Sequence, residues 1–355
     1  GQLNKVPQTK INKIIENDIL DIINNVPGDF FSNKTILISG ASGFLASYIT
    51  FYFLYLNSIN KDQKTKIIGL VRNIKKAKLK FSRNLNDNYF NLIEHDVNNF
   101  FNYDDEIHFI FHAASQASPK YYKTDPVGTL QPNTLGTINL LNLAKIKKPE
   151  CFLFFSSGEI YGNSSTKYIK ENDYGVIDPL DIRSCYGLSK KMGENICLSY
   201  FTQNNINVKI VRPFHIYGPG MSLDDGRVQA DFVSDILSKN NLTLKSDGST
   251  SRTFCYVKDA ILSFLKIVIS GEYIQPYNVG NPNEIYTIKE LANLLVENCC
   301  QHKAQIIFDK PSDNYLKSSF SFHAPSINKI KSLGWLPTTN IIEGFNRTIQ
   351  SYGTN

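Results

Sequence analysis

Apolar residues follow two distinct patterns along the first half of the chain. Short apolar runs without the every-second-residue alternation of a half-exposed strand predict buried parallel strands. These runs are Thr35–Ser39, Lys66–Val71, Leu92–Val97, Phe109–Ala114 and Cys151–Ser156. Segments with apolar residues at helical spacing lie between them, among them Tyr48–Leu56 and Asn133–Lys145. Strands that alternate with helices in this way predict an α/β fold with a doubly wound parallel sheet.

A further helical pattern precedes the first strand. Residues Ile11–Val26 carry apolar side chains at helical spacing, and Pro27-Gly28 ends the pattern. We therefore expect residues 1–33 to form an added helical arm ahead of the sheet. Such an arm packs on the body of the molecule or on a partner subunit, and its residues predict no chemistry.

The first strand leads into a glycine-rich turn, Gly40-Ala41-Ser42-Gly43-Phe44-Leu45-Ala46. In this G-x-x-G-x-x-A pattern the first glycine permits a tight turn, the second lets the backbone approach a pyrophosphate, and the alanine lets the helix pack on the strand. The N-terminus of that helix offers free N–H groups to phosphates. We predict a dinucleotide site here, with a plain strand–turn–helix as the alternative. The predicted contacts are Gly40, Ser42, Gly43, Phe44 and Leu45.

The carboxyl ends of the later strands supply the rest of the predicted cofactor site. Arg72 and Asn73 follow the second strand, where such folds meet the adenosine ribose and where an NAD site usually has an acidic residue. The Arg72 guanidinium favours the 2′-phosphate of NADP, or it stacks on the adenine of either cofactor. Asp96 ends the third strand, placed to accept from the adenine amino group. The remaining predicted contacts are Val97, Ala113, Ala114, Ser115 and Asn133.

A tyrosine and a lysine form the candidate acid/base pair. Tyr186 and Lys190 are four residues apart in a predicted helix, so both side chains project from one face. A neighbouring ammonium favours the phenolate, and we expect it to lower the tyrosine pKa from about 10. Ser157, directly after the fifth strand, is expected to share the proton. The alternative is an exposed amphipathic helix, because a Y-x-x-x-K spacing is common by chance.

Composition narrows the class of partner. The 355 residues are 42% hydrophobic and 20% charged, as in ordinary globular proteins, and the net charge is +6 with scattered lysines. This charge predicts weak attraction for anionic small molecules and not a nucleic-acid surface. No apolar run approaches the roughly 18 residues of a membrane span, the N-terminus is polar, and the cysteines lack metal-ligand spacing. We therefore expect a cytoplasmic protein without a metal site.

Several motifs resemble the extended short-chain dehydrogenase/reductases, in the epimerase/dehydratase branch that remodels nucleotide sugars. The motifs are HAASQASPKYY (112–122), NTLGTINLL (133–141), RSCYGLSK (183–190), DDGRV (224–228) and SRTFCYVKD (251–259). They resemble the UDP-glucuronate decarboxylases most, and then the dTDP-glucose 4,6-dehydratases. The resemblance implies a Rossmann-type NAD(P)-binding domain at 34–209 with a return at about 254–270, a smaller substrate-binding domain at 210–253 and 271–355, and a homodimer.

The resemblance also implies a substrate and its contacts. The substrate is a nucleoside-diphosphate sugar, with hydride exchange at C4, Tyr186 as acid/base, and Lys190 also holding the nicotinamide ribose. The implied substrate-binding residues are Ser118, His215, Arg227 and Arg252. His215 stands where relatives commonly have asparagine, and a core or loop histidine is the alternative. The two arginines match positions that hold the diphosphate, against the alternative of surface arginines.

The segment after the fifth strand bears on the reaction. Dehydratases of this branch have Thr-Asp-Glu there and decarboxylases have Ser in the middle, whereas this chain has Ser157-Gly158-Glu159. Gly158 offers no acid, which disfavours 4,6-dehydration, while Glu159 keeps proton chemistry at C5 open. With Arg72 favouring NADP over NAD, we expect a 4-keto-sugar reductase or C4 epimerase, with a UDP-glucuronate decarboxylase-like or dehydratase-like lyase as the alternative. A non-catalytic NAD(P)-binding regulator is the rival from another class.

Overall fold

The computed structural model of the chain describes residues 12–60, 62–164, 166–309 and 324–353. Its α-helices are α1 (Lys13–Asn24), α2 (Phe44–Ile59), α3 (Ile74–Lys80), α4 (Tyr121–Thr124), α5 (Pro126–Leu130), α6 (Leu135–Lys147), α7 (Cys185–Asn204), α8 (Val228–Leu237), α9 (Val257–Ser270), α10 (Ile288–Cys299), α11 (Asn328–Lys331) and α12 (Ile341–Gly353). Its strands are β1 (Thr35–Ser39), β2 (Lys66–Val71), β3 (Phe90–Glu94), β4 (Phe109–His112), β5 (Cys151–Phe155), β6 (Tyr168–Ile169), β7 (Val208–Pro213), β8 (Ile216–Tyr217), β9 (Leu242–Leu244), β10 (Ser251–Thr253), β11 (Cys255–Tyr256), β12 (Pro276–Val279), β13 (Ile285–Thr287), β14 (Ile306–Phe308) and β15 (Ala324–Pro325).

A seven-stranded parallel sheet forms the centre of the described structure, in the order β12-β7-β5-β4-β1-β2-β3. In its register Leu37 of β1 lies opposite Ile68 of β2 and Ile110 of β4. Strands β2 and β3 follow on one side of β1. Strands β4, β5, β7 and β12 follow on its other side. In sheets of this kind ligands bind at the carboxyl edge where the order reverses, between β1 and β4. The predicted doubly wound parallel sheet is confirmed.

Helices cover both faces of the sheet because successive strand residues point to opposite sides. Ile36 and Ile38 of β1 join a core cluster with α2 and α9, while Leu37 between them joins α6 and α7. Residues Ala46–Leu54 of α2 are all buried, since α2 is enclosed by the sheet, α1 and α9. A helix that is apolar all round requires such enclosure.

Helix α1 packs on α2, α9 and α12 of the same chain. It begins at Lys13 because the Asn12 side chain accepts from the N–H groups of Ile14 and Ile15 at 3.1 and 3.0 Å. Its buried Asp18 accepts from Tyr256 and Arg347, each at 2.6 Å. The predicted helix is confirmed over these residues, whereas its expected first residue, Ile11, lies outside the described part of the chain.

Two strand predictions differ from the structure. Strand β3 ends at Glu94, so Asp96 lies in the following loop. The apolar run Val208–Tyr217 also predicts a single strand, the sixth in the chain, but it forms two strands, β7 and β8. His215 interrupts the extended chain because its backbone is left-handed, with φ of 44°. The interruption turns His215 away from the ladder of the central sheet.

The C-terminal part of the chain returns to the central sheet later than expected. Helix α9 matches the expected return at about 254–270, but β12 (Pro276–Val279) then pairs with β7 at the edge of the sheet. Trp335 is completely buried, and its Nε1 donates to the Asp259 carbonyl at 2.8 Å. Within the described ranges, no helix combines the length and apolar character that crossing a membrane requires.

Candidate active site

The glycine-rich turn lies at the carboxyl end of β1, beside the loop that follows β4. Gly40 has φ of +61°, and a Cβ there would lie 2.7 Å from the Ala114 Cα, so both backbone conformation and space demand glycine. Gly43 precedes α2, and no side chain caps that helix. The first N–H groups of α2, beginning with Phe44 and Leu45, are therefore left for a ligand, which fits the pyrophosphate of a dinucleotide.

A buried histidine fixes the loop after β4 against the turn. The Ser39 hydroxyl lies 2.8 Å from His112 Nδ1 and accepts from the Ala114 N–H at 2.9 Å. Nε2 of His112 lies 3.0 Å from both the Pro132 carbonyl and the Thr137 hydroxyl. Burial lowers the pKa of His112 to about 3, so the ring is neutral. Because a carbonyl can only accept, Nε2 carries the hydrogen and Nδ1 accepts from Ser39.

The adenosine end of the predicted site contains a lysine that sequence patterns did not identify. Lys80, at the end of α3, donates to the Ser42 carbonyl at 2.9 Å, and burial lowers its pKa to about 8. Arg72 is exposed at the end of β2. Asn73 caps α3 by accepting from Lys76 N–H at 3.1 Å. Asp96 is half-buried and accepts from a neighbouring N–H in its own loop at 2.9 Å, while the following Val97 is buried.

Asn133 is an enclosed side chain that contacts α7. It is completely buried, and its Nδ2 donates to the Ser189 hydroxyl at 3.0 Å. That hydroxyl in turn donates to the Tyr186 carbonyl at 2.7 Å. The side chain therefore holds α7 in place, and its contact with the cofactor stays a prediction. The small loop residues Ala113, Ala114 and Ser115 follow β4 and are partly or fully exposed, which leaves them accessible to a ligand.

The candidate acid/base residues meet where β5 ends and α7 begins. Hydrogen bonds from the hydroxyls of Ser157 and Ser115 reach the buried Tyr186 phenol. Lys190 is buried one turn further along α7, its Nζ donating to the Phe155 carbonyl at 2.5 Å and lying 5.7 Å from the Tyr186 ring centroid. Tyr122 stacks on the Tyr186 ring with centroids 5.9 Å apart. The sequence predicted that Ser157 and Lys190 lie beside Tyr186, but not the contacts with Ser115, Tyr122 and the Phe155 carbonyl.

Burial is the largest influence on the pKa values of Tyr186 and Lys190. It raises the pKa of Tyr186 above 10, against smaller lowering effects of Arg227 and the two serine hydroxyls. Burial also lowers the pKa of Lys190 to about 7, so the amine is only partly charged at neutral pH. The expected lowering of the Tyr186 pKa by the Lys190 ammonium is therefore wrong for the protein without ligand, because both groups lose their hydration.

Three arginines surround Glu159 in front of this pair. Burial raises the pKa of the Glu159 carboxyl, and Arg227, Arg183 and Arg252, in that order, lower it. They come from the loop before α8, the turn before α7, and β10. His215 faces the same space, where its protein surroundings and the charges of Arg252 and Arg227 lower its pKa and keep the ring neutral. The fold thus brings together Glu159, His215 and both predicted arginines, and it adds Arg183.

The DDGRV loop docks on the loop that follows β4. The Ser118 hydroxyl donates to the Asp225 carbonyl at 2.6 Å, and Arg227 Nη2 donates to the Ala117 carbonyl at 3.1 Å. Arg227 Nη1 also lies 3.8 Å from the Asp225 carboxylate. Ser118 therefore positions this loop. The Arg227 side chain remains 39% exposed and is accessible to a ligand.

The position of Gly158 has no room for a side chain. A Cβ there would lie 2.7 Å from carbons of the Phe214 ring, which itself stacks on Tyr161 with centroids 5.8 Å apart. Phe214 thus fills the space that an acidic side chain at 158 would need. Among the residues that the structure describes, no group of three or more His, Cys, Asp or Glu side chains is arranged to hold a metal ion.

Comparison with known proteins identifies the family. The profile of the NAD dependent epimerase/dehydratase family matches residues 36–280. UDP-glucuronic acid decarboxylase 5 of Arabidopsis thaliana is 32% identical over 320 residues, covering 88% of this chain and 87% of that protein.

Solved structures agree on the fold. An epimerase from Methanothermobacter thermautotrophicus has a TM-score of 0.78 at 20% identity, covering 94% of this chain and 95% of that one. UDP-glucuronic acid 4-epimerase from Bacillus cereus, in complex with UDP-glucuronic acid and NAD, has a TM-score of 0.74 at 23% identity, covering 90% and 99%. With its glycine-rich turn, its Tyr186–Lys190 pair and these matches, the chain belongs to the NAD-dependent epimerase/dehydratase family of enzymes.

Proposed function

We propose that this enzyme decarboxylates a nucleotide-linked uronic acid of the UDP-glucuronate type. The observation that carries the proposal is Glu159, a carboxyl of raised pKa beside Tyr186 and surrounded by three arginines. Such a site suits an anionic substrate and a proton transfer next to C4. The relatives at 32% identity are UDP-glucuronic acid decarboxylases, which favours this reaction over the reductase or epimerase expected from the sequence.

The residues at the carboxyl edge of the sheet hold the cofactor in this proposal. The turn at Gly40–Leu45 and the N-terminus of α2 bind the pyrophosphate, and Lys190 binds the nicotinamide ribose. NAD held by these residues would supply reversible hydride exchange at C4 of the sugar. A hydrogen bond from Lys190 Nζ to the Phe155 carbonyl, at 2.5 Å, keeps the amine beside the Tyr186 ring.

Tyr186 moves the proton of the C4 hydroxyl. Its phenolate is stabilised by the Ser157 and Ser115 hydroxyls and by the charge of Arg227. Once C4 is a ketone, the C6 carboxylate is in the β position, so the C5–C6 bond breaks and its electron pair forms an enolate. Carbon dioxide leaves, and Glu159, whose raised pKa favours the protonated form, gives a proton to C5. The net reaction consumes one proton and no cofactor.

Dehydration at C6 lacks support because Phe214 occupies the space of an acid at position 158. Reduction of a 4-keto sugar is the second candidate, favoured by the basic adenosine end at Arg72 and Lys80, which suits NADP. A net reductase draws on a pool of reduced cofactor, whereas a decarboxylase regenerates its own.

Product analysis separates these reactions. The enzyme is incubated with NAD and UDP-glucuronate, and carbon dioxide release and the sugar product are followed by NMR. A UDP-pentose with no net change in cofactor supports the proposal. A UDP-hexuronate with inverted C4 shows an epimerase. Consumption of NADPH or NADH with a dTDP-, UDP-, GDP- or CDP-linked 4-keto-6-deoxyhexose, without carbon dioxide from UDP-glucuronate, shows a reductase.

A further inference from the structure

Arg183 is a charged side chain of the site whose hydrogen-bond donors the described protein leaves without partners. It lies in the short 3₁₀ turn Ile182–Ser184 that leads into α7, three residues before Tyr186. Its Nε and Nη1 atoms are buried and have no hydrogen-bond partner among the described residues. A guanidinium keeps its charge at every accessible pH and presents five donors. Buried donors without partners destabilise a fold, so an anionic ligand is expected to complete them.

The neighbouring carboxylate does not fill this role. Arg183 and Glu159 lie close enough for the arginine to lower the Glu159 pKa. In the described part of the chain, however, no ion pair of 4.0 Å or less joins Arg183 to any carboxylate. The guanidinium therefore lies near Glu159 without forming an ion pair with it. The turn that carries it packs against α4, and its first N–H is fixed by the Asp181 side chain at 3.0 Å.

Its position relative to Tyr186 indicates which part of the substrate it meets. Arg227 and Arg252 belong to the C-terminal segments, on the loop before α8 and on β10. Arg183 is in the turn that leads directly into the helix of the acid/base residue, which places it at the sugar end of the site. In a uronic acid the C6 carboxylate is two bonds from C4. A group that binds this carboxylate must stand next to the group that acts on the C4 oxygen.

We propose that Arg183 is the receptor for the C6 carboxylate of the substrate, distinct from the arginines that meet the diphosphate. The assignment rests on the proposed function and adds the residue that selects a uronic acid over a neutral sugar. A planar guanidinium pairs a carboxylate with two parallel hydrogen bonds. Because such pairing stabilises the carboxylate before carbon dioxide leaves, Arg183 contributes to binding and selection, and its removal raises KM more than it lowers kcat.

Calorimetric binding of three ligands to the full chain tests this assignment. The ligands are UDP-glucuronate, UDP-glucose and UDP, each with saturating NADH, which cannot accept the C4 hydride and so prevents turnover. Wild type is expected to bind UDP-glucuronate about 10–100-fold more tightly than UDP-glucose. In Arg183→Gln this preference disappears while the affinity for UDP is unchanged. Arg227→Gln, the matched control, weakens binding of all three ligands.

The outcomes separate the assignment from the proposed function. If Arg183→Gln keeps the preference for UDP-glucuronate, or loses affinity for UDP to the same extent, the carboxylate receptor lies elsewhere although the uronic acid specificity stands. If wild type itself shows no preference, the proposed function fails. Folding of the variant is checked by its Tm without ligand, which we expect to equal or exceed that of wild type because the substitution removes an unpaired buried charge. A collapse in that Tm would show a structural role and overturn the assignment.

Discussion

Individual side chains in this site are governed by how far each charge is removed from water. Tyr186 and Lys190 are both shifted towards their neutral forms, and the buried His112 is held neutral. Glu159 is shifted in the same direction but is drawn back by three guanidiniums, which cannot lose their charge. The site without ligand is therefore rich in permanent positive charge and poor in other ions, which prepares it for an anionic substrate.

Replacing Tyr186 by phenylalanine tests the acid/base assignment. We expect Tyr186→Phe to lower turnover by about 10²–10⁴-fold while cofactor binding and Tm stay unchanged, because only the phenolic proton is removed. Tyr122→Phe is the matched control, since Tyr122 stacks on the same ring and its hydroxyl donates only to the Ala117 carbonyl at 3.3 Å. Near-normal turnover in Tyr186→Phe, or equal losses in the two variants, would remove Tyr186 from the mechanism.

Lys80 predicts a pH-dependent preference for NADP. Its pKa of about 8 in the free protein means that the amine is charged below pH 8 and neutral above it. A bound 2′-phosphate favours the charged form, so NADP affinity is expected to fall as pH rises through about 8, while NAD affinity stays level. Lys80→Gln should weaken NADP binding roughly 10-fold and remove this pH dependence. A second variant, Arg72→Gln, distinguishes the two predicted roles of Arg72. Weaker binding of NADP alone indicates that Arg72 contacts the 2′-phosphate. Equally weaker binding of NADP and NAD indicates that Arg72 stacks on the adenine.

Sequence patterns predicted the site residues that sit on regular elements and missed those whose direction depends on packing. Tyr186 and Lys190 were predictable because four residues on a helix return to the same face. Lys80 is one of four lysines in α3, and only the packing of α3 decides which one reaches the glycine-rich turn. Arg183 precedes its helix in a short turn whose orientation no repeat dictates. The burial of Asn133 was likewise not predictable, because it depends on the helices that pack around it.

At the level of elements, the bounds of the buried strands were predictable to within a few residues. An unbroken apolar run must be buried on both faces, and in an α/β fold the central sheet between two helical layers provides that burial. Strands β1 and β2 have the predicted bounds. The break between β7 and β8 was not predictable, since a left-handed backbone at a histidine is stabilised by tertiary contacts. One such contact is the Cys255 N–H, which donates to the His215 carbonyl at 3.0 Å.

The attachment of α1 to the body provides a stability prediction at this scale. Asp18 is fully buried and bonded to Arg347 and Tyr256, each at 2.6 Å. We expect Asp18→Ala to lower the free energy of unfolding by about 3 kcal/mol, because the guanidinium loses its buried partner. On the same helix, Asp21 pairs with Lys258 at 3.1 Å but is 62% exposed. Asp21→Ala should cost less than about 1 kcal/mol. Urea unfolding measures both, and equal losses would contradict the buried attachment.

The whole molecule assembles its site from segments that are distant in the chain. The cofactor side comes from the central sheet, while Arg227 and Arg252 come from loops and a small strand beyond β7. Strand β12 ties these later segments to the sheet by pairing with β7. The candidate site is thus complete only when these segments are all in place. The covering helices α6 and α7 pack on each other and leave their outer sides open.

Those outer sides predict a homodimer. Helices α6 and α7 expose Leu135 at 40%, Ile146 at 65%, Met192 at 51% and Leu198 at 44%. A second copy related by a twofold axis buries the same apolar residues on both subunits, so each substitution there is felt twice. We expect light scattering to give a dimer for wild type and a monomer for Leu198→Glu. Leu79→Glu, at a residue of α3 that is 53% exposed, is the matched control and should stay dimeric. A monomeric wild type, or identical masses for the two variants, would contradict assembly through α6 and α7.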